Sequence, residues 1–429
     1  MFLRLPLGVL LLASVLSPAF FINPSARASA PRLPVTPPSA AAGQIVVADV
    51  SVFYEPLAPY GRWFQHTRYG YCWIPNGIVA GWRPYTHGYW DYTDDGWVWV
   101  SYDTWGWGPY HYGRWEFDPG FGWIWIPGTV WGPAWVAWRR GPGYIGWAPL
   151  PFEARWEAGV GLVNFDYDRF IEPNWYCFVG ERHFGDRYLD RVIEVPARNV
   201  TIIRSTTYIT NNYTVVNSRV VNRGIDRDEA QRAIGRSIEV HHIRETAQTG
   251  ATSVKGSDLM IYRPGAQGKG PRIPPGLAET SGGVKVNQAK LDKQHQKEQQ
   301  ALADQQVKEK ATLEKQHDQE LKLAQKQQRK AQQGATTTTT AQVATKQERK
   351  AQNRASGGQI VEDVKTRQDT EHQAHDQRWT KEKNAMTGRH DAENTGRIPA
   401  PSFTSAKPPK SSGSSTPPNN PKPGKGKQH

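Results

Sequence analysis

The sequence lacks the features of a disulfide-rich, a membrane-spanning or a recognisably catalytic protein. Only two cysteines, Cys72 and Cys177, occur among 429 residues, too few for a disulfide-dense scaffold. After the N-terminus, no apolar stretch approaches the roughly 20 residues needed to cross a bilayer. The sequence also contains no nucleophile elbow, no phosphate-binding glycine loop and no dinucleotide fingerprint. We therefore predict a protein that is not an enzyme and that uses no cofactor.

The two cysteines allow two interpretations. Export from the cell would permit a disulfide between them. Cys72, however, occupies a position in a sequence repeat that Val98 and Ile124 fill in later units, which favours a small, buried, apolar side chain.

The N-terminal segment, residues 1–28, predicts a secretory signal. Arg4 supplies a positive charge, residues 5–22 are mainly apolar, and residues 26–28 (ARA) are typical of a cleavage motif. An uncleaved anchor is the alternative. We expect the mature protein to be exported, to the periplasm or the extracellular space, with no transmembrane segment after the signal is removed.

Tryptophan is abundant and regularly spaced. Seventeen of the 18 tryptophans lie in residues 63–175, and many recur about every 26 residues. Residues 71–75, 97–101 and 123–127 alternate aromatic and aliphatic side chains, as β-strands with two different faces do. We predict a mainly β fold, with a tryptophan-rich antiparallel β-repeat domain at residues 45–151. Its three units of about 26 residues would form a meandering sheet or a small propeller-like array.

The composition changes on both sides of this domain. Residues 29–44 predict a flexible lead-in. Residues 152–263 predict a small α+β extension, with strands near residues 199–203, 213–217 and 237–243. Its one short helix would begin at Asp226 and end at Gly235, because these residues have capping chemistry.

The C-terminal part predicts polar helices. After a linker at residues 264–284, residues 285–334 repeat with a period of about 11 residues, with Leu291, Leu302 and Leu313 heading successive repeats. The apolar stripe is thin for a coiled coil, which favours a solvated single helix, with weak self-association as the alternative. A linker at 335–344, a second polar helix at 345–396 and a disordered basic tail at 397–429 follow.

The net charge of +13 is concentrated in this C-terminal part. Residues 264–429 hold 29 Lys and Arg against 17 Asp and Glu, whereas residues 1–263 hold 24 against 23. The tail could bind an anionic envelope polymer or serve as a solubilising spacer. We consider nucleic acid an unlikely partner, because the tail has almost no aromatic residues to stack bases.

Several blocks, in order, resemble a known family. They are residues 111–115 (HYGRW), 122–128 (GWIWIPG), 131–139 (WGPAWVAWR) and 144–151 (YIGWAPLP). Over residues 45–263 the chain resembles the YXWGXW-repeat exported proteins of bacteria, some of which carry a FecR-type domain ahead of the tryptophan-rich domain. This family has no established activity, so the resemblance implies an exported domain of unknown function.

The histidines and carboxylates lack the spacing of a metal or acid–base site. We predict structural roles for His66, His87 and His111, for Asp91, Asp94, Asp95 and Asp103, and for His241 and His242. Glu116 and Asp118 are the nearest approach to a general acid and base, and we interpret them as a polar pair beside a turn.

The aromatic faces of the repeats are the better candidate for binding. Indoles in a row could stack on sugar rings, with arginines at the strand ends to meet acidic groups. The candidate ligand-binding residues are Trp97, Trp99, Trp123, Trp125 and Arg114, and the candidate ligand is a cell-wall glycan. The other interpretation, which we favour, is that these indoles form the core and that some tryptophans remain exposed for binding. We predict a non-enzymatic exported envelope protein that acts as a structural or interaction module, the alternative being a glycan-acting hydrolase with an unrecognised carboxylate pair.

Overall fold

The computed structural model describes most of the chain after residue 48. The described residues are 49–157, 160–163, 165–210, 212–217, 219–247, 249–250, 252–264, 270–277, 287–334 and 343–401, without the side chains of residues 331–334 and 343–358. The predicted signal, the lead-in before residue 45 and the part of the basic tail after residue 401 lie outside them.

Four β-hairpins form the centre of the β domain, the name used here for residues 49–264. Their strands are β1 (Gly61–His66) with β2 (Gly70–Pro75), β3 (Gly88–Thr93) with β4 (Gly96–Ser101), β5 (Arg114–Asp118) with β6 (Gly122–Ile126), and β7 (Val136–Gly141) with β8 (Tyr144–Pro149). Gly70, Gly96 and Gly122 are equally spaced along the chain, each at the start of a second strand with φ of 78°, 81° and 76°. Because glycine adopts positive φ without steric cost, the repeat seen in the sequence is one hairpin with a glycine at its turn.

The hairpins are divided among three four-stranded sheets. The first sheet has the strand order β1-β2-β6-β5 and so joins hairpins one and three. The second sheet, β13-β14-β4-β3, and the third, β11-β8-β7-β12, each combine one hairpin with later strands. The mainly β prediction is confirmed. The hairpins nevertheless do not follow one another in a single meander or around a propeller, because strands from the extension pair with hairpins two and four.

Each hairpin sets one tryptophan opposite another. The pairs are Trp63 with Trp73, Trp90 with Trp99, Trp115 with Trp125, and Trp138 with Trp147. Trp73 also pairs with Trp125 between β2 and β6, so four indoles cross the first sheet in a row. All eight are at most 5% exposed and belong to one hydrophobic cluster. Since a buried aromatic side chain removes about 150–250 Å² from water, these pairs dominate the core.

The extension supplies the remaining strands and short helices of the β domain. Its strands are β9 (Arg155–Glu157), β10 (Gly161–Val163), β11 (Cys177–Gly180), β12 (Thr207–Tyr208), β13 (Tyr213–Val216), β14 (Arg219–Asn222), β15 (His242–Thr246), β16 (Ser253–Lys255) and β17 (Asp258–Tyr262). Its helices are α2 (Tyr167–Phe170), α3 (Asn199–Ile202) and α4 (Arg227–Ile234), and α1 (Tyr54–Leu57) precedes the first hairpin. Short 3-10 turns occur at Val50–Phe53, Pro173–Trp175, Glu181–His183, Leu189–Arg191, Pro196–Arg198 and Ile203–Ser205.

The predicted elements of the extension agree with the structure in part. Helix α4 has the expected ends: the Asp226 side chain accepts a hydrogen bond from Glu229 N at 2.9 Å, and Gly235 has φ 72°. The strand predicted at residues 199–203 is instead α3 and a 3-10 turn. Asn199 explains this difference, because its buried amide donates to the carbonyl oxygens of Pro173 and Tyr176.

Two long helices complete the fold. They are α5 (Gln288–Gly334) and α6 (Val343–Asn394), close to the predicted 285–334 and 345–396. We call α5 and α6 together the helical hairpin. No helix within the described ranges is both long enough and apolar enough to cross a membrane.

Candidate functional site

The four candidate ligand-binding tryptophans lie inside the protein. Trp97 and Trp99 are 2% and 0% exposed, and Trp123 and Trp125 are 5% and 0% exposed. The indole N–H groups of Trp97 and Trp125 donate to the backbone oxygens of Ile225 at 2.8 Å and Tyr112 at 2.7 Å. Burial of this kind gives the indoles core contacts and leaves a ligand little ring surface to stack on.

Arg114 lies on β5, beside the β6 strand of Trp123 and Trp125, but its guanidinium contacts other groups. Its guanidinium is 4.2 Å from the Trp135 ring, its Nε donates to Ala154 O at 2.8 Å, and another nitrogen donates to Gly113 O. Burial lowers the pKa of Arg114 to about 10. The five predicted residues therefore do not converge, since Trp97 and Trp99 lie in the second sheet while the other three lie in the first.

The two cysteines are free and buried thiols. Cys72 lies in β2, on the first sheet's face opposite the tryptophan row, where it packs in a cluster with Ile74 and Ile124. Burial raises the pKa of both thiols, so neither is activated as a nucleophile.

Glu116 and Asp118 meet other charged groups at one end of the first sheet. They lie two residues apart on β5, so both project from the face opposite Trp115. Asp118 Oδ2 is 3.2 Å from His66 Nε2, and Glu116 accepts a hydrogen bond from Phe152 N at 3.3 Å. Burial, followed by the charge of Glu153, raises the pKa of Glu116 to about 7. We call Glu116, Asp118, Glu153 and His66 the acidic cluster.

The other histidines and carboxylates named from the sequence form separate pairs. His87 Nδ1 is 2.9 Å from Asp103, and His242 Nδ1 is 2.8 Å from Asp94. His111 is buried, and burial lowers its pKa to about 4, which keeps it neutral. Among the described residues, no group of three or more His, Cys, Asp or Glu side chains could hold a metal ion.

The inward face of α5 follows the repeat predicted from the sequence. Leu291, Leu313 and Ala324 head their repeats and are 0%, 0% and 4% exposed. His295 and His317, each four residues further on, are buried as well. Because a period of about 11 residues corresponds to about 3.67 residues per turn, such a stripe stays on one side of a straight helix. Thus α5 is not a solvated single helix: its stripe packs against α6 and the β domain.

Helix α6 has a matching 11-residue repeat that the sequence analysis missed. Arginines stand at 367, 378 and 389, each followed four residues later by a glutamate. Their ion pairs with α5 are Arg389 with Glu298 at 2.7 Å, Arg378 with Glu309 at 2.7 Å and Arg367 with Glu320 at 2.6 Å. Moving 11 residues toward the C-terminus of α5 therefore corresponds to moving 11 residues toward the N-terminus of α6, as expected for two antiparallel helices. We call these three pairs the charge ladder.

A second set of pairs joins the helical hairpin to the β domain. Glu393 accepts from His295 at 2.7 Å and also from Arg62, which is in β1. Glu371, 0% exposed, accepts from His317 at 2.7 Å and from the Thr201 hydroxyl of α3. These glutamates thus bind both α5 and the β domain, so the position of the hairpin is coupled to the position of the sheets.

Glycine and small apolar residues bring α6 close to the first sheet. A Cβ at Gly388 would lie 2.7 Å from the carbonyl oxygen of Gly120, in the β5–β6 turn, so only glycine fits there. Ala392 and Ile398 pack in the same cluster as Cys72 and Ile124. The aliphatic face of the first sheet is therefore covered by the end of the hairpin.

The outward face of α5 carries lysines. Counted from the leucine column, the third and seventh places of each repeat lie roughly 200–240° around the helix, at about 100° per residue. Six of these eight places hold exposed lysines, the others being Asp304 and Gln319. The six are Lys293, Lys297, Lys308, Lys315, Lys326 and Lys330. None of them forms an ion pair with an acidic side chain in the described part of the chain. We call these six residues the lysine face, which spans about 55 Å at 1.5 Å per residue.

Comparison with known proteins identifies one domain. Residues 54–154 match the model of a family of unknown function (DUF6600), which covers the four hairpins. This match supports an uncharacterised domain and does not confirm the predicted resemblance to the YXWGXW-repeat proteins. Neither a curated protein nor a solved structure matches the chain.

Proposed function

We propose that this protein is a non-enzymatic, exported module of the cell envelope that binds an anionic polymer along the lysine face. The proposal rests on the two faces of α5. One face packs against the rest of the protein through residues that recur in each 11-residue repeat, and the opposite face carries exposed lysines. Export rests on the signal predicted at residues 1–28.

The tryptophan core supports this choice of surface. Glycan binding through the repeats would need indoles such as Trp99 and Trp125 at the surface, and both are 0% exposed. The lysine ammonium groups, by contrast, are exposed and free of acidic partners in the described part of the chain, so binding a polyanion would not require breaking an ion pair seen there.

Docking of the helical hairpin makes the lysine face a fixed array. The charge ladder and the contacts of Glu393 and Glu371 hold α5 along its length. A preorganised row of charges loses less conformational entropy on binding than a flexible tail does. A linear polymer with repeated phosphate, sulfate or carboxylate groups has the charge and the shape to follow a row of about 55 Å.

Charge removal on the lysine face tests the proposal. The full chain is titrated with labelled dextran sulfate and with poly(glycerol phosphate), with neutral dextran as the control polymer. The test variant carries Lys→Gln at 293, 297, 308 and 315. The matched control, with the same change in net charge, carries Gln at the exposed positions Arg155, Arg232, Lys365 and Lys383.

The expected result is a selective loss of affinity. A lysine beside an anionic surface contributes about 1 kcal/mol, so losing four should weaken binding at least about tenfold even after screening. The control variant should bind like the wild type, and added salt should weaken wild-type binding. Equal affinity of the two variants would refute the proposal.

A glycan-acting hydrolase is the second candidate function, and the acidic cluster is the observation that favours it. Glu116 and Asp118 project from one face of β5 instead of diverging on turns. A carboxylic acid with a pKa of about 7, next to two other carboxyl groups, could protonate a leaving group. Incubation of the wild type and Glu116→Gln with peptidoglycan tests the hydrolase function. Release of reducing ends by the wild type alone would favour a hydrolase. Release by neither protein would exclude a hydrolase acting on peptidoglycan.

A further inference from the structure

A second polar site lies on the outer face of the second sheet. A cavity of about 240 Å³ separates β3 from residues 234–241 and from residues 185–187. Its polar lining residues include Tyr89, Asp91, Arg187, Arg236, Glu239 and His241. From the sequence, structural roles are predicted for Asp91 and His241, which lie far apart in the chain.

Backbone hydrogen bonds fix His241 at the edge of the sheet. Its N–H donates to Tyr92 O at 2.9 Å, and it forms a parallel bridge with Thr93. This position directs the imidazole toward Asp91, with Nδ1 2.9 Å from Oδ2. Both residues are buried, at 5% and 8% exposure. The orientation of the imidazole is therefore set by the fold and by a carboxylate behind it.

The other ring nitrogen of His241 is left for a ligand. The nearest acidic atom to Nε2 is Oε2 of Glu239 at 3.7 Å, beyond hydrogen-bond distance, on a side chain that is 87% exposed. Burial raises the pKa of Asp91, and the charges of His241 and Arg187 oppose that rise. Both ring nitrogens donate in an imidazolium, so an imidazolium with Nδ1 toward the Asp91 carboxylate has its Nε2–H available to a ligand in the cavity.

Two arginines complete the cavity wall. The central carbon of the Arg187 guanidinium lies 4.1 Å from the centre of the Tyr89 ring, and a guanidinium has more N–H donors than this one contact can occupy. No acidic side chain among the described residues forms an ion pair with Arg187. Arg236 uses one nitrogen for Gly185 O. Guanidinium edges match carboxylate and phosphate oxygens in geometry and charge.

We propose that this cavity binds a small organic oxyanion, with Arg187 and His241 Nε2 as donors to the anionic oxygens. The volume limits the ligand to about one sugar ring, since sites for drug-sized ligands occupy about 300–1,000 Å³. A sugar acid and a sugar phosphate both carry the required group. The site is separate from the lysine face of α5, so it adds a small-molecule ligand to a protein proposed to bind a polymer.

Ligand-detected NMR on the full chain tests the site. The probes are glucuronic acid and glucose 6-phosphate, with glucose as the neutral control, so that the first two separate the carboxylate from the phosphate. The test variant is Arg187→Gln, which changes an exposed side chain. Its control is Arg191→Gln, because Arg191 lies 4.4 Å from the Tyr188 ring in the same cation–π arrangement outside the cavity.

A second pair of variants addresses the imidazole. His241→Gln replaces an imidazole that can carry a positive charge with a neutral amide. His242→Gln changes the next residue, whose side chain is 54% exposed. We expect one acidic sugar to bind, glucose not to bind, and Arg187→Gln and His241→Gln to weaken binding at least about tenfold, or 1.4 kcal/mol. Both controls should bind like the wild type.

The proposal is overturned by either of two results. One is that neither acidic sugar binds the wild type with a Kd below about 10 mM. The other is that Arg187→Gln binds as well as Arg191→Gln, and this result stands even where His241→Gln fails to fold.

Discussion

The most informative perturbation is the loss of one charge from the buried middle pair of the charge ladder. Arg378 and Glu309 are 2% and 7% exposed in their side chains and 2.7 Å apart. Glu309→Gln would leave the Arg378 cation buried without its main partner. Breaking a buried pair in this way costs about 3–5 kcal/mol.

Other groups around Arg378 keep the expected loss in free energy of unfolding at the lower end of that range. Arg378 also donates to Gly81 O at 2.9 Å and has Glu382 Oε1 at 3.7 Å. Since both remain in the variant, we expect Glu309→Gln to lower the free energy of unfolding by about 3 kcal/mol.

Two comparison variants make the result interpretable. Lys381→Gln breaks the pair with Glu172, which also joins α6 to the β domain but whose side chains are 51% and 45% exposed, so it should cost no more than about 1 kcal/mol. The double variant Glu309→Leu with Arg378→Met removes both buried charges and should be more stable than Glu309→Gln.

Urea unfolding followed by far-UV circular dichroism measures these differences, and hydrogen exchange of α5 and α6 amides shows whether the hairpin opens first. The reasoning is refuted if Glu309→Gln costs no more than Lys381→Gln, or if the double variant is as unstable as the sum of its two single changes.

Three further changes test the packing. Gly388→Ala should destabilise docking of α6, although alanine favours a helix by about 1 kcal/mol, because its Cβ would lie 2.7 Å from Gly120 O; hydrogen exchange of α6 measures this. Trp125→Ala should cost about 3–5 kcal/mol in urea unfolding, as expected for a core indole. Glu116→Gln should remove a pH dependence: the folded pKa, raised to about 7, lies above the unfolded value, so the wild type loses stability from about pH 4.5 to about pH 7 and the variant does not.

Each of these changes has a control measurement that separates loss of the buried contact from the effect of the substitution itself. Thr387→Ala, one residue before Gly388 and exposed, should leave hydrogen exchange of α6 unchanged. Tyr188→Ala, at 52% exposure, should cost far less than Trp125→Ala. A Glu116→Gln variant whose urea midpoint falls with rising pH as steeply as the wild type's would contradict the assignment of Glu116.

Local pattern in the sequence was enough to predict some of the elements, although the strand predicted at residues 199–203 was wrong. Alternation and glycine placed the second strands of the first three hairpins, capping residues placed α4, and the leucine repeat placed α5. These features depend on neighbours along the chain, so the sequence displays them directly.

Pairing between distant segments was not predictable in the same way. The insertion of β13 and β14 beside β4 depends on closing a long loop and on the shape of the core. The packed face of α6 was missed because its repeat consists of Arg and Glu, which predict solvent exposure when read alone. Recognising that this repeat has the same period as that of α5 would have predicted that the two helices pair.

The sequence indicated which residue types could bind a ligand, but it did not indicate which of them lie at the surface. Aromatic alternation cannot tell a binding face from a core when both faces of a sheet are covered, and β4 is buried on both faces. The basic C-terminal part was identified by charge, whereas the division of α5 into a packed and a lysine face needed the position of α6.

Lysine footprinting shows whether an anionic polymer binds along the lysine face of α5. The full chain is acetylated with and without dextran sulfate, and mass spectrometry measures modification of Lys293, Lys297, Lys308 and Lys315, with Lys365 and Lys383 of α6 as internal controls. We expect the polymer to protect the four α5 lysines from acetylation and to leave the two α6 lysines reactive. Equal protection of both groups, or protection of neither, would contradict this expectation.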